Sequence, residues 1–288
     1  MIKTTVLTNG CSVKGGVLLL GGFDGLHVGH RLLLSHAKTH SLPVGVMTIV
    51  GGKGNEGLFT PQERESIFRV SGVDFIFELS FSAIKGLSPL QFLATLEREF
   101  SPAVLVAGED FRFGKNAAGD VETLKTSTHV RVEIFPLVKI DGEKVSTTLL
   151  KRLLKDGKIV ALNTLLGQEF FVTGTVQKDR QVGRRIGFPT ANIAYPTHKC
   201  ALKTGVYETR VTVDGSEYKA ITNYGARPTF QNDEVWTESY LDGFSGDLYG
   251  RELTVKFVRY LREVQTFDGA ESLREQLQKD VERVRNND

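Results

Sequence analysis

The chain has 288 residues, of which 40% are hydrophobic and 24% charged, and its formal net charge is +2. That length holds one large domain or two ordinary ones, with apolar content enough for a substantial core. So small a net charge argues against a nucleic-acid partner or an electrostatically held membrane surface. In chain order, Val17 to Leu20 is a short, wholly apolar run, the pattern of a strand buried on both faces. Gly21 and Gly22 break it, and Gly29 to Lys38 then carries Leu32, Leu33, His36 and Ala37 at helical spacing. Pro43 to Val50 reads as the next strand. Thr60-Pro61-Gln62-Glu63 and Ser88-Pro89-Leu90-Gln91 are capping boxes with proline at the first helical position, each opening a helix. Val73 to Leu79, Pro102 to Ala107 and Val130 to Val138 read as further strands. Strands alternating with helices predict an α/β domain built on a parallel sheet with helices on both faces. Such sheets bind ligands beyond the carboxyl ends of their strands.

Three loops at those ends are chemically suggestive. His27 and His30 flank a helix start after a glycine-rich turn, where free N–H groups and the helix dipole favour an anion. Gly108-Glu109-Asp110-Phe111-Arg112-Phe113-Gly114 follows the strand at 102–107, although Asp and Gly are also ordinary loop residues. Ser146 and Thr147 suit a helix N-cap, with Thr148 and Lys151 in the turn behind them.

Leu149 to Leu154 and Val160 to Leu166 read as helices separated by Asp156-Gly157, and the chain changes character near Gly167. Phe170–Val176, Gly205–Val213, Tyr218–Asn223, Glu234–Leu241 and Leu253–Leu261 are short strand-like runs punctuated by Asp214-Gly215 and Asp242-Gly243. They predict an antiparallel barrel or sandwich. Ala270, Leu273, Leu277, Val281 and Val284 fall at helical spacing, so an amphipathic helix packed on that barrel closes the chain. The expected division is residues 1–158 and 159–288.

The densest chemistry lies between Gly183 and Asn192. Pro189 holds the following residues extended, so Thr190 and Asn192 point to one face and Ala191 to the other. A hydroxyl and an amide oxygen are hard ligands suited to Mg²⁺, which takes its remaining ligands from phosphates and water. The run Arg180, Gly183, Arg184, Arg185 and Gly187 is basic and flexible, which suits phosphate oxygens. A polar strand edge after a solvated basic loop would read the same way. In Trp236-Thr237-Glu238-Ser239-Tyr240, Glu238 shares a face with two aromatic residues, a setting in which a carboxylate can accept a proton. Glutamate on an exposed strand edge is the ordinary alternative.

Several of these stretches resemble one family. Gly187-Phe188-Pro189-Thr190-Ala191-Asn192 resembles the signature of riboflavin kinases, in which the Thr and Asn hold Mg-ATP. Gly22-Phe23-Asp24-Gly25-Leu26-His27-Val28-Gly29-His30 resembles the nucleotide-binding motif of the adenylyltransferase joined to that kinase in bacterial bifunctional riboflavin kinase/FMN adenylyltransferases, or FAD synthetases. The resemblance continues through Gly205-Val206-Tyr207, through Asn223-Tyr224-Gly225-Ala226-Arg227-Pro228-Thr229, through Thr237 to Gly250 and through Leu261-Arg262-Glu263, in the family's order. It implies a nucleotidyltransferase domain followed by a β-barrel kinase domain, with riboflavin, FMN and ATP as substrates and Mg²⁺ as cofactor. Carried over residue by residue, Glu238 is the catalytic carboxylate, and Thr190 and Asn192 hold the metal, with Gly183, Arg184 and Gly187 at the phosphates. Gly22, Phe23, Asp24, His27, Gly29, His30, Ser146, Thr147, Thr148 and Lys151 fall on the ATP site of the first domain. Asp110, Phe111, Asn223, Arg227 and Arg262 fall on flavin positions.

The sequence departs from the family at several positions, Val264 and Thr266 after Leu261-Arg262-Glu263 among them. Thr48-Ile49-Val50-Gly51-Gly52-Lys53 stands where the family has Thr-Phe-x-Pro-His-Pro, Lys151 stands for Arg, and Tyr240 and Gly243 replace a His and an Asp. These leave open a kinase with a degenerate first domain, the reverse, or a flavin-binding regulator without catalysis. Cys11 and Cys200 lie far apart and make no metal spacing, and no stretch reads as a signal peptide or as a membrane span of about 18 apolar residues. A cytoplasmic protein without nucleic-acid or membrane partners, monomeric or weakly homo-oligomeric, is expected.

Overall fold

A computed structural model describes residues 2–51, 56–178, 183, 186–226 and 234–286. The chain divides into two compact units, Met1–Leu149 and Leu150–Asp288.

The first unit is built on a six-stranded sheet. Its strands are β1 (Ile2–Val6), β2 (Val17–Leu20), β3 (Val44–Val50), β4 (Phe75–Ser80), β5 (Val104–Gly108) and β6 (Arg131–Phe135), in the order β1-β4-β3-β2-β5-β6. All pairings are parallel except β1 with β4. Every residue of β2 is buried, as a central strand covered on both faces requires. Its neighbours are α1 (Val28–Lys38), α2 (Pro61–Val70), α3 (Phe81–Ile84), α4 (Pro89–Phe100) and α5 (Val121–Ser127). Both predicted capping boxes form: Thr60 and Ser88 accept from the backbone of Glu63 and Gln91, whose side chains return the bond. Leu18 and Leu20 pack with Phe77, Leu93, Leu96 and Phe100 in one core, while α1 buries Leu33, Leu34 and Ala37. The antiparallel edge β1 and helix α5 are additions to the sequence reading. So is a hairpin of β7 (Lys139–Ile140) and β8 (Glu143–Lys144), which occupies the segment after Pro136 and ends β6 early. The strand order reverses direction on either side of β2, so the crevice beyond β2 and β5 is the natural ligand site of this topology.

Helices α6 (Thr147–Lys155) and α7 (Ile159–Leu166) lead into the strands of the second unit. Asn163 fastens α7 to the sheet: its amide donates to Phe257 O at 2.8 Å and its oxygen accepts from Phe170 N at 2.8 Å. The sheet runs β10-β13-β12-β11-β14-β9, all antiparallel, from β9 (Phe170–Thr175), β10 (Thr190–Ala194), β11 (Gly205–Val213), β12 (Ser216–Ala226), β13 (Val235–Leu241) and β14 (Glu252–Arg262). It curls until its edges meet: Gln177, just after β9, donates its N–H to Asn192 O of β10 at 2.8 Å. The interior is partly polar, with a hydroxyl ladder of Thr209, Thr222 and Ser239 whose oxygens lie 2.7 Å apart at each step. The terminal helix α8 (Ala270–Arg285) packs Val281 and Val284 against Val206, Ile221 and Leu261. Arg262 of β14 pairs with the buried Asp280 of α8 at 2.7 Å. Among the described residues no helix is long and apolar enough to cross a membrane.

Candidate functional sites in the two units

In the first unit a cavity of about 330 Å³ opens where that topology predicts, beyond β2 and β5. It is lined by Gly22, His27, Gly29, His30, Asp110, Phe111, Ser146 and Thr147 among the predicted residues. Phe23 and Asp24 do not line it. Phe23 is buried against the His30 ring, centroids 4.2 Å apart, and Asp24 accepts from Leu58 N at 2.8 Å, bracing the next loop. Thr148 is exposed behind the rim, and Lys151 belongs to the second unit.

The two histidines form a rigid pair, with rings stacked at 3.6 Å. His27 caps α1: its Nδ1 accepts from His30 N at 3.2 Å, so neutral His27 carries its hydrogen on Nε2. His30 Nδ1 lies 3.0 Å from Gly25 O, which can only accept, so neutral His30 has a bare Nε2. Burial is the main force keeping both neutral. Helped by Lys144, it lowers His27 to about 4; helped by His27, it lowers His30 to about 3. At Gly29 a Cβ would press the His27 ring at 3.1 Å, a tight contact that the pair would have to yield to. Lys144, which sequence reasoning missed, lines the cavity and forms an ion pair with Asp110. Its only signal was a cation just before Ser146. Ser146 also caps α6, accepting from Leu149 N at 3.3 Å, so the capping and cavity-lining readings are both satisfied. Of the segment at 48–53, Ile49 lines the cavity, while Gly52 and Lys53 fall outside the described residues.

In the second unit, antiparallel register assembles the site. Asn192 of β10 pairs with Glu238 of β13, which pairs with Asn223 of β12. Directly paired residues point to one face, so the three side chains form a row. Thr190, Tyr240 and Ile221 form the row beside it. Among the described residues, Asn192 Oδ1 and Asn223 Oδ1 are buried without a hydrogen-bond partner. A buried acceptor left unpaired is costly, and a bound water, ion or ligand, or a catalytic role, explains it.

Two cavities meet at Thr190. One, of about 490 Å³, runs from Pro189, Thr190 and Asn192 to Phe244–Tyr249. The other, of about 340 Å³, is largely apolar, with Ile186, Phe188, Phe267, Leu273 and Leu277 as walls and Glu238 and Asn223 at its polar end. Gly183 lines it too, folded so tightly that a Cβ would lie 2.3 Å from Phe188 O. Gly187 has φ +85°, a conformation that favours glycine. Tyr240 stands edge-on to Phe188 at 4.9 Å. Asp242 is held by Arg285 of α8 at 2.7 Å, and that bond keeps its carboxyl below the usual range. Arg262 lines the apolar cavity but is committed to Asp280. Arg184 and Arg227 lie outside the described residues.

The comparisons with known proteins agree with this division. Residues 12–149 match the FAD synthetase family model, and residues 166–287 match the riboflavin kinase model. The bifunctional riboflavin kinase/FMN adenylyltransferase of Pseudomonas fluorescens is 32% identical over 295 residues, covering 94% of this chain and 93% of that protein. The protein of that description from Bacillus subtilis is 30% identical, covering 92% and 90%. Among solved structures, one described as a macrolide-efflux protein from Streptococcus pneumoniae superposes with a TM-score of 0.87 at 29% identity, covering 98% of each chain. Two family models matched in succession, and relatives matched over at least 90% of both chains, lead to one assignment. The chain belongs to the bifunctional riboflavin kinase/FMN adenylyltransferase family.

Proposed function

We propose that the chain phosphorylates riboflavin to FMN in its second unit and adenylylates FMN to FAD in its first, using ATP for both. The observation that carries the kinase reading is the row Asn192–Glu238–Asn223, with two unpartnered amide oxygens beside a carboxylate where a polar and an apolar cavity meet. The apolar cavity suits a flavin ring, and the other suits the nucleotide. Asn192 Oδ1, unpaired and buried, fits a hard cation, so Asn192 and Thr190 would hold Mg²⁺, which supplies charge neutralisation at the phosphates when bound. Glu238 aligns the ribityl hydroxyl and accepts its proton as the γ-phosphate is transferred. Arg184 serves the phosphates, and Arg227 the flavin.

In the first unit FMN brings its own nucleophile, a phosphate oxygen that attacks the α-phosphate of ATP and expels pyrophosphate. The protein then needs to align and neutralise. His27 Nε2–H and the N–H groups opening α1 donate to the phosphates. His30 donates only after taking up a proton, which an incoming polyphosphate favours. Lys144 adds a positive charge at the same crevice. We assign the two units to the two activities, in the cytoplasm.

The test is chromatography of the products formed with Mg-ATP from riboflavin and, separately, from FMN. FMN from the first and FAD from the second are expected. FMN without FAD in either would remove the adenylyltransferase assignment. No product in either would overturn both assignments in favour of a flavin-binding protein without catalysis.

A further inference from the structure

Away from the nucleotide crevice, a second pair of histidines sits at the C-terminal end of α1. His36 lies in its last turn and His40 two residues past its end, in the turn that follows. Both aim at one atom across the sheet: Glu133 Oε2 of β6 lies 2.6 Å from His36 Nε2 and 3.1 Å from His40 Nε2. The three ligand-type atoms all fall within 4.8 Å of one another. None of the three residues lines the nucleotide cavity.

We propose that His36, His40 and Glu133 form a binding site for a divalent transition-metal ion of the Zn²⁺ class. The chemistry selects the ion, since two imidazole nitrogens and one carboxylate oxygen are a borderline set that Mg²⁺ and Ca²⁺ do not use. The three ligand atoms already converge. Ligand bonds of about 2.0–2.2 Å in a tetrahedron set ligand atoms about 3.3 Å apart, so the His40 contact at 3.1 Å is near that spacing while the His36 contact at 2.6 Å must open by about 0.7 Å, within reach of side-chain rotation. The surroundings hold the ligands in place. Arg131 Nη2 occupies the other carboxylate oxygen of Glu133 at 2.6 Å, leaving Oε2 to the histidines. The His36 ring packs on Phe135 at 4.5 Å and meets the His40 ring edge-on. Such outer contacts orient metal ligands. The His36 side chain is 36% exposed, which gives the ion an entry path and leaves water the fourth position. With the ion bound, the hydrogens that each Nε2 now donates to Glu133 move to Nδ1 or leave. The ion would clip the C-terminal end of α1 to β6, on the helix whose other end carries His27 and His30.

The test is titration of the untagged, full-length protein with Zn²⁺ against a chromophoric chelator, repeated with Co²⁺ to read its visible absorption. One equivalent is expected, with a tetrahedral Co²⁺ spectrum and a raised melting temperature. His36→Gln and Glu133→Gln should each weaken binding at least tenfold, while His27→Asn should retain the equivalent and so separate this cluster from the nucleotide crevice. Near-UV circular dichroism establishes that each variant is folded, and His40→Asn replaces any that is not. No bound equivalent, or one that the substitutions at positions 36, 40 and 133 leave unchanged, would overturn the proposal.

Discussion

At the scale of single residues, the two sites depend on groups whose neighbours fix their protonation or placement. Glu238→Gln keeps the shape of the apolar cavity and removes the proton acceptor; riboflavin phosphorylation should fall at least about 10²-fold in kcat while riboflavin still binds, measured by single-turnover kinetics and flavin fluorescence. Unchanged turnover would remove Glu238 from the chemistry. Gly183→Ala places a methyl against a backbone carbonyl that cannot yield, so kinase kcat/KM should drop and FMN adenylylation should not. The histidine pair has a pH signature. Folding lowers His27 to about 4 and His30 to about 3 from the ordinary 6.5, so the unfolded chain binds more protons between those limits. Their stabilisation is therefore complete above pH 6.5 and declines as pH falls towards 4, by up to about 1.4 kcal/mol per pH unit for each group. Urea unfolding of the first unit should show a lower midpoint at pH 5.5 than at pH 7.5, and substituting both histidines with Asn should flatten the difference. Part of this was legible: the Phe-Asp-Gly-x-His-x-Gly-His run marked the turn where His27 and His30 meet on one cavity. The tautomers were not, because the Gly25 carbonyl that sets His30 becomes its partner only through the turn.

At the scale of elements, register and helix docking turn separate motifs into sites. Asn192, Glu238 and Asn223 are far apart in sequence, and only the pairing of β10, β13 and β12 makes them a row. Period-two alternation put Thr190 with Asn192 and Trp236 with Glu238 and Tyr240, since that rule is local. Which strand lay beside which was beyond it. Helix α8 shows a similar limit. Its spacing predicted one apolar face, yet that face is shared: Val281 and Val284 enter the core while Leu273 and Leu277 wall the apolar cavity. The buried Arg262–Asp280 pair holds that helix in place. Asp280→Ala leaves the guanidinium unpaired and should cost about 3 kcal/mol of stability in denaturant unfolding. The loosened cavity wall should also raise the KM for riboflavin. A raised KM without a stability loss would place Asp280 at the ligand rather than at the helix anchor.

At the scale of the whole molecule, candidate sites in two separate compact units predict separable chemistry. Glu238→Gln should abolish FMN formation from riboflavin and leave FAD formation from FMN at full rate, whereas His27→Ala should do the reverse, both read by product chromatography. Loss of both activities in either variant would contradict the division. The sequence by itself determined the two fold classes, because buried four-residue apolar runs, capping boxes and alternating strands encode local structure. It also marked the glycines at 183 and 187 and the Pro-Thr-Ala-Asn strand start. Tertiary structure alone decided that Lys144 joins Asp110 and the histidines, that Asp24 braces a loop, and that His36, His40 and Glu133 converge. Those contacts join residues whose separation in the chain no periodicity reports, and their energies depend on burial that exists only once the sheet is assembled.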